Sequence, residues 1–196
     1  MSPAAEALER RAVVRTLLAG REDLAVVTGL GSPSYDTVAA GDHDLNYYLW
    51  GAMGSAATVG LGLAIAQPRR PVLVITGDGE QLMGLGALAT IAVQRPANLT
   101  IAVLDNERYA ETGMQHSHTG AGVRIDQVAA ACGFAWTAEL RESAGVDRLR
   151  ARLTAFTGPN LAVCKVEPTD LPRVLPPIDA VYLKHRLRLA LGFPPR

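Results

Sequence analysis

Cysteine is scarce in this chain: Cys132 and Cys164 are the only thiols among 196 residues, far apart and in apolar surroundings. No disulfide framework is expected, and four-thiolate ligation of an iron–sulfur cluster by this chain alone is excluded. Two buried core thiols are the simpler expectation, because free cysteine is among the most buried residue types. Aromatic residues are few, at 5%, which argues against base-stacking platforms. Net charge is missing too, since nineteen Lys and Arg balance nineteen Asp and Glu. Without a basic excess, nucleic acid is not an expected partner. No apolar run approaches the ~18 to 20 uninterrupted residues of a membrane span. Residues 51–66 come nearest, but their glycines and alanines, with Ser55 and Thr58, suit a tightly packed helix. The Met-Ser-Pro start and the mixed-charge segment after it show no signal-peptide pattern, so a cytoplasmic location is expected and a membrane partner is not.

What is present is a globular composition, 48% hydrophobic and 19% charged. The length suits one domain, or one domain with a tail, and should bury roughly 70% of the unfolded surface. Hydrophobic periodicity predicts helices over residues 4–19, 51–66, 82–93, 125–132, 146–156 and 178–191. Apolar runs predict strands over 24–28, 72–76, 99–104, 134–137 and 161–166. The alternation of strand and helix predicts an α/β fold, a doubly wound, mostly parallel sheet with helices on both faces. The strands lack period-two alternation, as expected when both sheet faces are covered. Residues 29–34 read as a turn-rich loop and 42–50 as a polar, aromatic segment. Residues 107–122 form a polar loop too long for an ordinary connection and therefore functional. Residues 1–170 are expected to form the domain. Residues 171–196 read as a Pro-rich connector and final helix that pack on the domain or on a partner.

The chemistry concentrates at two strand ends. Asp78, between Gly77 and Gly79, follows the run Val72–Thr76, and Asp105-Asn106 follows Leu99–Leu104. In an open α/β sheet the crevice beyond the carboxyl ends of the strands is where ligands bind. A carboxylate and a carboxamide there are hard oxygen ligands, and the glycines let backbone approach closely. Together they describe a seat for Mg²⁺ carrying a phosphorylated cofactor. A bare Gly-Asp-Gly also marks a plain turn; its place after a buried strand and the downstream Asn carry the reading.

Taken together these residues resemble the diphosphate-binding domain of thiamine-diphosphate enzymes, whose signature is Gly-Asp-Gly followed some two dozen residues later by Asn. The resemblance covers roughly residues 20–170 and implies that Asp78, Asn106 and the carbonyl of Arg108 ligate Mg²⁺. It implies that backbone amides of Gly79 and Glu80 face the diphosphate. Glu80 stands where a small residue is often seen, so only its backbone is assigned there. Leu49-Trp50-Gly51-Ala52-Met53-Gly54 looks like the segment that receives the aminopyrimidine ring, with the Gly51 carbonyl as acceptor and Met53 as the apolar fulcrum that bends the cofactor. Ordinary helix packing is the alternative for that block. Thr28-Gly29-Leu30-Gly31-Ser32 is similar to the loop that helps hold the diphosphate, with Gly29 and Ser32 as contacts, although a plain turn fits it nearly as well. Thr112-Gly113-Met114-Gln115 resembles a narrower group, the phosphonopyruvate and sulfopyruvate decarboxylases, as do Asn46-Tyr47-Tyr48 and Leu82-Met83-Gly84-Leu85-Gly86. Thr112 is accordingly a further cofactor contact, and His116 and His118 are candidate catalytic groups, with exposed loop histidines as the alternative.

In this family the cofactor is activated by a glutamate on a separate pyrimidine-binding domain. This chain has no spare length for one, and Glu107 and Glu111 lie near the metal end. The resemblance therefore implies a β subunit of a split 2-oxoacid decarboxylase acting on a small anionic 2-oxo acid. A pyrimidine-binding α subunit would supply the glutamate in a hetero-oligomer. Three readings stay open beside it: a subunit of an acetolactate synthase-type carboligase or of a 2-oxoacid oxidoreductase, a non-catalytic cofactor-binding subunit, and a nucleotide-binding Rossmann domain. The last lacks the Gly-x-Gly-x-x-Gly turn, because Gly29-Leu30-Gly31 continues as Ser-Pro-Ser.

Overall fold

A computed structural model describes residues 7–194. In chain order the elements are α1 (Arg10–Leu18), β1 (Ala25–Thr28), α2 (Ser32–Ala39), β2 (Asn46–Tyr48), α3 (Ala56–Ala66), β3 (Val72–Gly77), α4 (Asp78–Met83), α5 (Ala87–Gln94) and β4 (Leu99–Asp105). There follow the short strands β5 (Arg108–Tyr109) and β6 (Gln115–His116), then α6 (Ile125–Cys132), β7 (Trp136–Leu140), α7 (Ser143–Arg152), β8 (Asn160–Lys165) and α8 (Ala180–Ala190). The main sheet has the order β2-β1-β3-β4-β8-β7, parallel throughout. A separate antiparallel ribbon pairs β5 with β6.

Both faces of the sheet are covered, which is why the central strands read as continuous apolar runs. Val27, Val74, Ile101 and Leu161 point to one face, where Ala57, Leu61, Leu88, Ile91 and Ala129 of α3, α5 and α6 pack on them. Their chain neighbours Val26, Leu73, Ala102 and Ala162 point to the other, under Val14 and Leu17 of α1 and Leu149 of α7. The chain leaves β1 on one side to make β2 and returns on the other to make β3. A topological switch point therefore lies between β1 and β3, and the loops at their carboxyl ends diverge to open a crevice.

Several boundaries differ from the sequence reading for physical reasons. The first helix begins at Arg10, because Leu8 forms a parallel bridge with Val166 and the Glu9 carboxylate caps the helix, accepting from the amides of Arg11 at 2.7 Å and Ala12 at 2.8 Å. Residues 4–6 of the expected helix lie outside the described residues. Gly29–Ser34 is only partly a loop, since α2 starts at Ser32 with Pro33 in its first turn, a position where the missing N–H is harmless. Residues 51–55 are a turn rather than helix, with Gly51 at φ +70° and Gly54 at φ +88°. The expected helix 82–93 is two helices parted at Gly84–Gly86. A Cβ on Gly84 would lie 2.1 Å from the Gly54 carbonyl oxygen, so glycine is required for the two loops to touch. The strand expected at 134–137 forms at 136–140, and the helix expected at 146–156 runs from 143 to 152. The final helix is capped by Asp179 and lies against β2, held by Arg186. No described helix is long and apolar enough to cross a membrane.

Candidate cofactor site

The crevice over β1, β3 and β4 is a cleft lined by Leu30 and Ser32 after β1, Gly77 to Glu80 after β3, and Asn106 and Arg108 to Thr112 after β4. Met53 and Arg10 complete its walls. Nine sequence-assigned residues thus come together: Ser32, Met53, Gly77, Asp78, Gly79, Glu80, Asn106, Arg108 and Thr112.

Asp78 is 2% exposed, and its side-chain partners among the described residues are two hydroxyls. Ser117 donates to Oδ2, and the Thr119 hydroxyl lies 3.2 Å from the same oxygen and 2.8 Å from Oδ1 of Asp105. Burial pushes the Asp78 carboxyl up to about 6, with Asp105 adding repulsion and the hydroxyls only partly offsetting both. Asp105 turns instead to Lys165, whose Nζ lies 2.8 Å from its Oδ2 and 2.5 Å from Oε1 of Glu107. Burial lowers the pKa of that lysine, but the two carboxylates outweigh it and raise the net value. Glu107 takes a left-handed backbone, φ +59°, between Asn106 and Arg108, and the Asn106 carboxamide oxygen accepts from the Arg108 amide at 3.0 Å.

Glu80 faces away from the cleft floor. Its carboxylate accepts from the Leu30 amide at 3.1 Å, the Thr76 hydroxyl at 2.9 Å and the Ala56 amide at 3.3 Å. Burial raises its pKa, and these donors work against that rise. The repulsion a carboxylate at this position would exert on a diphosphate is thereby turned into the protein.

Four assigned residues are placed elsewhere. Gly29 does not line the cleft; its amide donates to the Ile75 carbonyl at 2.9 Å, and its missing side chain makes room for Glu80, whose Oε2 would lie 1.5 Å from a Cβ. Gly51 is exposed with open space around it. His116 and His118 are exposed and outside the lining, their Nδ1 atoms resting on the Arg108 guanidinium and, at 2.9 Å, on the Tyr109 hydroxyl. Arg10, Tyr109, Ser117 and Thr119 were not assigned from the sequence, and Glu111 was placed near the metal end without a role. Tyr109 packs over Gly79, where a Cβ would meet the ring at 2.6 Å. The four loop residues sit beside the Thr-Gly-x-Gln run and could have been suspected; Arg10 arrives from α1 with no local signal.

The donor set fits a cation bound to phosphate. A buried carboxylate with no cationic partner among the described residues, a neutral carboxamide and nearby carbonyls are the hard oxygens that Mg²⁺ takes in small number, leaving its other positions to water and phosphate. Among the described residues no three His, Cys, Asp or Glu side chains are grouped to hold a metal without such help. Gly77 has open space where a side chain would stand, so its backbone is free to be approached.

Fold and cleft define an open parallel α/β domain furnished at its strand ends for a phosphorylated cofactor. The chain belongs to the thiamine pyrophosphate enzymes: residues 32–164 match the C-terminal TPP binding domain of that family. It is 38% identical over 185 residues to a phosphonopyruvate decarboxylase of Streptomyces viridochromogenes, covering 94% of this chain and 46% of that one. It is 31% identical over 187 residues to the sulfopyruvate decarboxylase subunit beta of Methanococcus maripaludis, covering 94% of this chain and 98% of that one. The chain thus spans less than half of the first relative and nearly all of the second. The fold is shared with benzoylformate decarboxylase from Polynucleobacter necessarius, at a TM-score of 0.68 and 20% identity over 88% of this chain and 35% of that one.

Proposed function

We propose that this chain is the diphosphate-binding β subunit of a split, Mg²⁺-dependent thiamine-diphosphate decarboxylase that acts on a small anionic 2-oxo acid in the cytoplasm. The observation that carries the reading is the buried Asp78 carboxyl, with hydroxyl partners only among the described residues, in one cleft with Asn106, Arg108 and Met53. In this reading Asp78, Asn106 and the Arg108 carbonyl hold the metal. Ser32 and the amides of Gly79 and Glu80 take the diphosphate, Gly51 and Met53 take the aminopyrimidine end, and Thr112 stays a cofactor contact at the rim. Bound thiamine diphosphate would accept the electrons released as CO₂ leaves. The protein's share would be to fix the cation, exclude water with Met53 and Tyr109, and present positive charge from Arg108 to anions, Arg10 being ion-paired with Asp36. Residues 1–170 would be the binding domain and 171–196 an arm. His116 and His118 would tune Arg108 and Tyr109 rather than meet substrate.

The subunit reading is supported by the near-complete coverage of a separate subunit beta among the relatives, alongside a chain of about double length. The partner α subunit would bring the activating glutamate and part of the substrate pocket. An oxidoreductase reading would need its clusters on other chains, since Cys164 is buried and Cys132 is only partly accessible. The test is co-expression with a pyrimidine-domain chain and assay of sulfopyruvate, phosphonopyruvate and pyruvate with Mg²⁺ and the cofactor. CO₂ release is expected only from the pair, and Asp78→Ala should abolish it. Full-rate release by the isolated chain would contradict the split-enzyme reading.

A further inference from the structure

Three segments assigned to the cofactor come from different parts of the chain, and one side chain touches all of them. The Glu80 carboxylate is 4% exposed and lies below the switch point. Oε2 accepts from the Leu30 amide at 3.1 Å, in the loop after β1, and from the Thr76 hydroxyl at 2.9 Å, at the end of β3. Oε1 accepts from the Ala56 amide at 3.3 Å, at the start of α3, just after the Gly51–Gly54 turn that carries Met53. Gly29 is flattened against it: a Cβ there would stand 1.5 Å from Oε2 and 2.5 Å from the carboxyl carbon. Gly29 has no left-handed backbone that would demand glycine, so the carboxylate accounts for its identity. None of these donors belongs to a regular ladder. The Leu30 and Ala56 amides have no intrahelical or ladder acceptor, and Thr76 and Ala56 are too buried to turn to water.

We propose that Glu80 is a positioning residue, a carboxylate clamp that fixes the Gly29–Ser32 loop, the Gly51–Ala56 turn and the end of β3 in register before the cofactor arrives. It rests on the reading that these segments bind thiamine diphosphate. The mechanism is preorganisation: donors from three segments converge on one buried side chain, and segments already ordered do not lose that freedom on binding. A side-chain amide at this place keeps the shape but replaces one acceptor by a donor facing another donor. A serine removes the reach altogether.

The test is a double-mutant cycle on the full chain with Glu80→Gln, Glu80→Ser, Gly29→Ala and Glu80→Ser with Gly29→Ala. Amide exchange of the peptides over residues 29–31 and 54–57 is read without cofactor, and affinity for thiamine diphosphate with Mg²⁺ is read by calorimetry well below each variant's unfolding temperature. Glu80→Gln is expected to speed exchange in both peptides and to weaken binding about tenfold or more, the cost of leaving one buried donor unsatisfied. Gly29→Ala should weaken binding comparably in the wild-type background and add nothing once Glu80 is serine. Unchanged exchange in Glu80→Gln overturns the clamp. Faster exchange with unchanged affinity, or additive effects of Gly29→Ala and Glu80→Ser, overturns its positioning role. A wild-type chain that does not bind the cofactor even beside a pyrimidine-domain partner overturns the functional reading and the positioning role with it, while the exchange data still decide the clamp.

Discussion

At Asp78 burial and the proposed metal ligation pull in opposite directions. The carboxyl sits up at about 6 because burial penalises its charge. Since the folded value lies above the unfolded one, its contribution to stability is fully present below about pH 4 and is lost as pH rises through about 6. Calorimetric unfolding without cation is therefore expected to show falling stability from this group across that window, and Mg²⁺ with thiamine diphosphate should restore it above about pH 6, where the carboxylate is free to ligate. Asp78→Asn should flatten the profile, raise the unfolding temperature of the cofactor-free chain at pH 7.5 and remove the response to Mg²⁺. A wild-type profile indifferent to pH and cation would contradict this. Asp78 was legible in the sequence because a buried strand ran straight into Gly-Asp-Gly, with Asn at the right remove. The destination of the Glu80 carboxylate was not legible, because it depends on where Leu30 and Ala56 lie once β1 and β3 have paired. Arg10 escaped for the same reason.

Among the elements, the central strands were the most legible, since covering both faces leaves an uninterrupted apolar run as the signature. Helices were less so at their ends. The Gly51–Ser55 turn was read as helix because small residues hide a boundary that two left-handed glycines set. α2 was read as loop because Gly-Ser-Pro-Ser is turn chemistry as well as a helix start. The arm carrying α8 had no stated docking place in the sequence; in the structure Arg186 forks onto Asp42 at 2.6 and 3.2 Å and onto the Asn46 carbonyl at 3.2 Å, while Tyr48 donates to Asp42 at 2.7 Å. Burial raises the Asp42 carboxyl, but the Arg186 and Tyr48 hydrogen bonds win and hold it below its ordinary value. A depressed carboxyl contributes stability above its unfolded pKa and loses it as pH falls through the folded one. Loosening of α8 is thus expected below about pH 4, and Arg186→Met should produce it at neutral pH. Faster amide exchange over residues 180–190, with exchange in β3 and β4 unchanged, is the expected result. Unaltered exchange in α8 would show that the helix is held by its apolar contacts alone.

At the scale of the whole molecule, a six-stranded parallel sheet carries a site that, in the reading proposed here, a partner chain completes. Everything that would grip a cation and a diphosphate gathers at one end of β1, β3 and β4, and Met53, 39% exposed, stands beside it. The sequence made the fold class and family plain, because both are written in local runs and a motif; the substrate is not, because its recognition is shared with another chain in the reading proposed here. Adding the pyrimidine-domain partner is expected to tighten cofactor binding and to be required for turnover, checked by titrating one chain with the other at fixed cofactor. The most direct test is calorimetric titration of thiamine diphosphate with Mg²⁺ into the wild-type chain, Asp78→Ala and Asn106→Ala, each beside that partner. Saturable, Mg²⁺-dependent binding to the wild type that falls by about a hundredfold or more in Asp78→Ala, roughly the loss of one metal-ligating charge, is the expected result. Equal binding by all three proteins would contradict the assignment of the cleft.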